Sequence, residues 1–287
     1  MFAIFLVGIG SLIAEIGYSI GKKEVASRKE SILGMGFLNA IWVTFFLFVL
    51  AFLLPANFLP GGITSGYVFN PESLPTFILR VGLEILILHL VLKGVTLASR
   101  TTFTFLRMIT LPFLLIVDLL LGYNISTFEL IGIGVIILTT LYLASSSILE
   151  KAGMWYVIGS ATLAVATISI YKYHLTYFNN SVAGEQLTMS TIMIIYLFFT
   201  TYYTTKKNPL RHLKRPRVFV QSLSVGVASV FFSFAFLFGA SSVIVAAKRT
   251  MGVLWSILSG HFFFNEKQFV FKIHAFFVLV GGLYLLM

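Results

Sequence analysis

The chain alternates between long, nearly unbroken apolar runs and short polar punctuation. Ten runs stand out, over 2–20, 31–54, 75–92, 96–121, 127–147, 153–174, 187–205, 217–238, 241–264 and 268–286. Most approach the length of about 20 residues with which a helix crosses a hydrocarbon core. Membrane β-strands would read as short alternating segments, a pattern these runs do not follow. The pattern predicts an all-α integral membrane protein with ten transmembrane helices. Connections such as 122–126 and 239–240 are so short that they force antiparallel neighbours. The longer ones are 55–74, 175–186 and 206–216. The first is rich in Pro and Gly and runs into a helix start at Ser73 and Pro75.

Composition agrees. The chain is 58% hydrophobic and 10% charged, against about 25% charged in a soluble domain. It contains no cysteine, which excludes disulfides, thiol catalysis and cysteine metal sites. The first run lacks a basic start and a small-residue cleavage site, so no cleavable signal peptide is expected. The net charge of +10 is a topology signal and does not point to nucleic acid. Lys22, Lys23, Arg28, Lys29, Lys93, Lys151 and Lys267 follow odd-numbered runs, as does the stretch from Lys206 to Arg217. The positive-inside rule then puts those loops in the cytoplasm and both termini outside. The basic loop 206–217 is read as facing solvent and lipid headgroups.

The two halves of the chain echo each other. Runs three to five resemble runs eight to ten: a short helix ending in Gly (Gly94, Gly239), small polar residues, and a long helix with an early Arg (Arg107, Arg249). A tight turn and a last helix follow in both. With five runs per half, the second half is inverted, which divides the chain into repeats 1–150 and 151–287. Inverted repeats are typical of secondary transporters, whose substrate sits between the halves. The segment AAKRTMGVLWSILSGHFFFNE, Ala246 to Glu266, with its bulky apolar cluster ahead of Asn265-Glu266 and a final helix, resembles the drug/metabolite transporter superfamily, specifically its EamA-like ten-helix members. The first half departs from that pattern at Gly122-Tyr123, where the family often has Gly-Glu. The resemblance implies transport of small metabolites, often export, by proton coupling or exchange, across the cell membrane.

Charges within apolar runs are costly and need a partner, water or a role. At 1.5 Å per residue, Arg249 and Arg107 fall roughly 12 Å from opposite surfaces. Lys248 doubles the positive charge beside Arg249. For Arg249 two readings stand: an ion pair locking two helices, or a cavity role in anion binding or gating, for which the guanidinium fork suits carboxylate or phosphate. Glu15 falls near the depth of Arg107, and Glu84 near that of Lys248 and Arg249. Glu15 is read either as a proton or cation site, its pKa raised by desolvation, or as a structural pair. Arg80 and Glu84, four apart, can pair along one face. Asp118 lies on the face of Arg107, three turns on. Tyr18 shares the face of Glu15, and Trp255 that of Lys248. Asn39 and Trp42 lie one turn apart. Lys172 and His174 end a run and are expected to snorkel outward. Lys93 and Arg100 are read as anchors near the inner surface. His89 and His261 are read as packing histidines, and Gly252, Ser256, Ser259 and Gly260 as a stripe for close helix packing.

No HExxH, phosphate-binding Gly-Lys-Ser/Thr loop or Cys/His cluster is present, so neither a metal nor a cofactor is implied. Asn124 and Asn179 begin glycosylation sequons. The expected function is secondary transport by alternating access, not enzymatic, with Arg249, Lys248, Arg107, Glu15, Glu84, Tyr18 and Trp255 as substrate-binding or gating residues. The expected partners are a small anionic or zwitterionic substrate, protons and the lipid bilayer. The alternatives are a proton-driven exporter of cationic drugs or amines using Glu15, an intramembrane enzyme on lipid-linked substrates, and a receptor or scaffold.

Overall fold

The computed structural model describes residues 2–28, 31–53, 69–122, 126–145, 151–178, 181–238 and 241–285. Among them every regular element is helical. The α-helices are α1 (Phe2–Arg28), α2 (Ile32–Phe48), α3 (Leu74–Leu97), α4 (Arg100–Leu106), α5 (Thr110–Leu120), α6 (Thr127–Ser145), α7 (Met154–Tyr177), α8 (Val182–Thr205), α9 (Pro216–Ala235), α10 (Ser241–Phe264) and α11 (Phe269–Leu285). Eight helical stretches are long and apolar enough to cross a membrane, with shorter apolar helices at Thr127–Thr139 and Phe269–Leu285. The protein is therefore multi-pass in composition and length. Its outer surface carries large apolar side chains such as Leu120, Phe128 and Tyr284, which in water would be a severe liability and in lipid are the expected coat.

Local chemistry sets the helix starts. Side-chain oxygens of Ser31, Ser99 and Ser181 accept from the backbone N–H groups of Gly34, Thr102 and Gly184, satisfying donors that a helix start leaves free. Pro216 opens α9, where its missing N–H costs nothing. The run predicted as one long helix over 96–121 is two. A 3-10 turn, Arg107–Ile109, separates α4 from α5. Pro112 explains the break, because it can neither donate to the carbonyl four residues back nor sit beside it in an unbroken helix. Gly94 does not end α3, which continues to Leu97. The helix expected from residue 187 begins at Val182, and this brings Glu185 inside it.

The bundle is tied together by helix pairs distant in sequence. α1 packs on α9 and α10, α3 on α7, α2 on α8 and α9, and α6 on α11. A contiguous apolar core that includes Leu111, Leu114, Ile244 and Val253 runs through its middle. Two glycines let backbones approach. A Cβ on Gly226 would lie 2.4 Å from Trp42 Cβ, and one on Gly17 would lie 2.9 Å from the Gln221 carbonyl. Most of loop 55–74, the sequon residues Asn124 and Asn179, the 239–240 turn and the boundary between halves at 150 lie outside the described residues.

Candidate functional site: a cation cavity between α1, α4 and α10

α1, the α4–α5 break and α10 enclose a cavity of about 70 Å³. α1 contributes Ser11, Ala14, Glu15 and Tyr18. The α4–α5 segment contributes Arg100, Phe103, Thr104 and Arg107, and α10 contributes Lys248, Arg249 and Gly252. Five of the residues expected from sequence thus converge here: Glu15, Tyr18, Arg107, Lys248 and Arg249. The break places Arg107 on a turn, and α10 brings Lys248 and Arg249 in two turns from its start.

The electrostatics are lopsided. Glu15 is the only carboxylate among the described residues of the lining, and it is fully engaged. Arg100 donates to it twice, through Nη2 at 2.6 Å and Nε at 3.1 Å. Ser19 and Ser259 also donate to its Oε1. Arg100, expected as an anchor at the inner surface, is instead 1% exposed. The bidentate fork, with Tyr18 and Phe103 ring faces 5.3 and 5.9 Å away, offsets its desolvation. Among the described residues, Arg107, Lys248 and Arg249 have no acidic partner within ion-pair distance. The Nε atoms of Arg107 and Arg249 are buried with no hydrogen-bond acceptor among the described residues. Aromatic faces give partial relief: Lys248 Nζ sits 3.7 Å from the Phe232 ring centre, and the Arg107 guanidinium 5.4 Å from that of Phe103. Such contacts are worth about 2 kcal/mol or more each when desolvated and offset only part of the several kcal/mol that burying an ion costs.

Lys248 and Phe232 also line a second chamber of about 290 Å³, together with Arg80, Glu84, Tyr171 and Gln186. Glu84 therefore shares a chamber with Lys248, as its depth predicted, without pairing with it. Arg80 does not pair with Glu84. Its Nη1 donates to Glu185 at 2.6 Å, and its guanidinium stacks 4.6 Å from the Tyr171 ring centre. Glu185 also meets His174 Nδ1 at 2.7 Å, and His174 Nε2 lies 2.7 Å from the Thr76 hydroxyl. Glu185 and His174 are sealed from solvent. Lys172 and His174 therefore do not snorkel: Lys172 is buried and donates to the Phe236 carbonyl at 2.8 Å. Asp118 caps α10 by accepting from the Ser242 N–H at 2.7 Å.

A further lock lies toward the other end of α10. Glu266 accepts from the Arg100 N–H at 2.9 Å, from the Thr101 hydroxyl and from Lys272 Nζ at 3.0 Å. Burial pushes its carboxyl upward, and the bonds from Thr101, Lys272 and the Arg100 N–H outweigh this and hold it below the ordinary range. Asn265, in left-handed conformation, turns the chain so that this can happen. Trp255 does not line the cation cavity; it lines an apolar groove farther along the α1–α10 contact. His89 bonds Tyr196 at 2.6 Å, and His261 stacks on Phe269, as packing histidines would.

Sequence reasoning missed Glu185 and Lys272. The signal for Lys272 was available: a cation inside the last apolar run demands a partner. Glu185 was hidden by a helix start placed too late. Ser181, a good N-cap three residues before Gly184, was the cue.

No family model matches the chain, and no curated protein is similar enough to count as a match.

Proposed function

We propose that the chain is a secondary transporter that moves a small anionic or zwitterionic metabolite by alternating access, with the substrate's negative group held by Arg107, Lys248 and Arg249. The carrying observation is three cations around one cavity, Arg249 buried and Arg107 and Lys248 partly buried, where the one carboxylate among the described lining residues is already neutralised by Arg100. An apolar bundle that keeps uncompensated cations is poised for an anion that enters and leaves.

The same reading takes the chain as ten spans in two inverted halves, 1–150 and 151–287, with both termini outside the cell membrane. Packing supports it. α1 lies on α9, and in the corresponding position of the other half α7 lies on α3. α2 meets its counterpart α8, and α6 its counterpart α11. The charge pattern supports the orientation: Lys22 donates to the Ala98 carbonyl at 2.6 Å, and Lys23 lies over the Phe263 ring, so the loops after runs one, three and nine share one end. EamA-like transporters remain the family whose layout the chain resembles. The cationic-drug reading gains no support from Glu15, whose oxygens are occupied by Arg100, Ser19 and Ser259.

The test is uptake into proteoliposomes of anionic, zwitterionic and cationic metabolites, with and without a pH gradient. Uptake of anions or amino acids that is lost in Arg249→Ala, from protein that still inserts and elutes as one species, is the expected result. Cation movement that requires Glu15 and a pH gradient would overturn it.

A further inference from the structure

The cation cavity has a neighbour. Along the same α1–α10 contact, toward the C-terminal ends of both helices, lies a groove of about 620 Å³, a size that suits a hydrocarbon ligand. Its walls are Leu12 and Ile16 on α1 and Trp255, Phe262 and Phe263 on α10. Except for Trp255, which is half-buried, these side chains are exposed, so in a bilayer the groove opens sideways to lipid. Its floor is polar: Glu15, Ser19 and Ser259.

Glu15 lines both spaces. The Ser259-to-Glu15 hydrogen bond joins α1 to α10 at the partition between them. On one side of that bond lie three cations with no acidic partner among the described residues. On the other lies an apolar trough with Lys23 at its mouth, its Nζ 4.7 Å from the Phe263 ring centre.

We propose that the α1–α10 contact is a lateral doorway through which the cation cavity also takes a single-chain lipid with an anionic head. Its chain lies in the groove along Trp255, and its head reaches Lys248 and Arg249 when the Glu15–Ser259 bond parts. This rests on reading the cation cavity as an anion site. The charge decides the occupant. A neutral or cationic head would leave Arg107, Lys248 and Arg249 uncompensated, and only an anion that carries a hydrocarbon chain engages both the cations and the trough. No covalent step is involved. Glu15 acts as the latch and keeps its bonds to Arg100 while releasing Ser259.

Trp255 reports directly on the groove. In a Trp42→Phe/Trp155→Phe background it is the only tryptophan. The protein is placed in phosphatidylcholine nanodiscs at alkaline pH and titrated with bromine-labelled stearate or bromine-labelled stearyl alcohol. Bromine quenches tryptophan on contact, and the two probes differ only at the head. Stearate is expected to reach half-quenching at about tenfold lower mole fraction than the alcohol, the effect of one charge-assisted contact. That advantage should vanish in Lys248→Gln/Arg249→Gln and persist in Arg249→Lys. Quenching by the alcohol should stay constant throughout, which certifies an intact groove. Equal quenching by both probes in the parent protein overturns the proposal, as does an advantage that survives the double glutamine variant. The outcome is separable from the transport reading. Soluble-anion uptake without a stearate preference retires the doorway alone, whereas a stearate preference without soluble-anion uptake retains the doorway and retires the soluble substrate.

Discussion

Glu15 on α1 and Arg100 at the start of α4 face each other as a bidentate pair, at 2.6 and 3.1 Å, with both side chains sealed from solvent. The pair fixes α1 against the break that carries Arg107, and so sets the geometry of the cation cavity. It also decides what Glu15 can do. A carboxylate with four donors on it is a structural anchor for the site.

Removing one member should therefore be far worse than removing both. Arg100→Met alone leaves a buried carboxylate and is expected to cost about 3–5 kcal/mol. Glu15→Gln alone leaves a fourth unpaired cation and should be comparably damaging. The Glu15→Gln/Arg100→Met double variant should recover most of the loss, because the partners couple directly. Thermal unfolding of the three purified variants, followed by loss of the monodisperse elution peak, checks this. Additive losses would show that the pair is not what joins α1 to α4.

The Glu266 lock predicts an acid-sensitive contact. Its carboxyl is held below the ordinary value by Thr101, Lys272 and the Arg100 N–H acting against burial. A group depressed in the folded state stabilises fully above its unfolded pKa, about 4.3 for Glu. That contribution is lost as pH falls through the lower folded value. The thermal midpoint of the parent protein should drop as pH is lowered below about 4.3, and Glu266→Gln should flatten part of that slope while lowering the midpoint at neutral pH. An unchanged slope in Glu266→Gln would remove the lock from the acid response.

Much of this was legible from residue pattern alone, and the exceptions have physical causes. The helices follow the apolar runs because the bilayer demands length and apolarity, and both are written in one dimension. Glu15, Tyr18, Arg107, Lys248 and Arg249 could be grouped because charges in apolar runs are scarce and depth follows from helix rise. Partners could not be read so well. Arg80 pairs with Glu185 across 105 positions and not with Glu84 four positions away, since an isolated helix face offers the local pair while tertiary packing supplies a better-buried one. Trp255 shares the face of Lys248 on a straight helix, yet it lies two turns farther along α10 and lines a different space. Arg100 was assigned to the surface by its place near a run's end, and the carboxylates of Glu15 and Glu266 draw its segment inward.

Close backbone approach makes a second stability prediction. A methyl group on Gly226 would fall 2.4 Å from Trp42 Cβ, which no side-chain rotation relieves, so α2 and α9 must part. Gly226→Ala is expected to destabilise by about 1–3 kcal/mol through overpacking. Gly252→Ala, where a Cβ meets nothing within 4 Å, is the control and should be neutral or slightly stabilising, since Ala favours helix over Gly. The pair of variants is read by thermal midpoint in the same detergent. A neutral Gly226→Ala would mean that the α2–α9 contact tolerates separation.

The unpaired cations make the last prediction, and its sign is opposite to that of most buried substitutions. Arg249 is nine-tenths buried beside Lys248, with its Nε unsatisfied and no acidic partner among the described residues. Without a bound anion it is a burden: desolvated, and repelled by Lys248 and Arg107. Arg249→Met keeps the apolar bulk and removes the charge, so it should raise the thermal midpoint while abolishing anion binding, a trade between stability and function common at sites. An anion that binds the parent should close the gap, stabilising it by RT ln(1 + [L]/Kd), about 2.7 kcal/mol at a hundredfold excess over Kd. Thermal midpoints of parent and Arg249→Met, measured with increasing dicarboxylate or phosphate, provide the check. A lower midpoint for Arg249→Met without ligand would show that Arg249 is a structural element of the bundle, and the cavity would then lose its strongest claim to an anion.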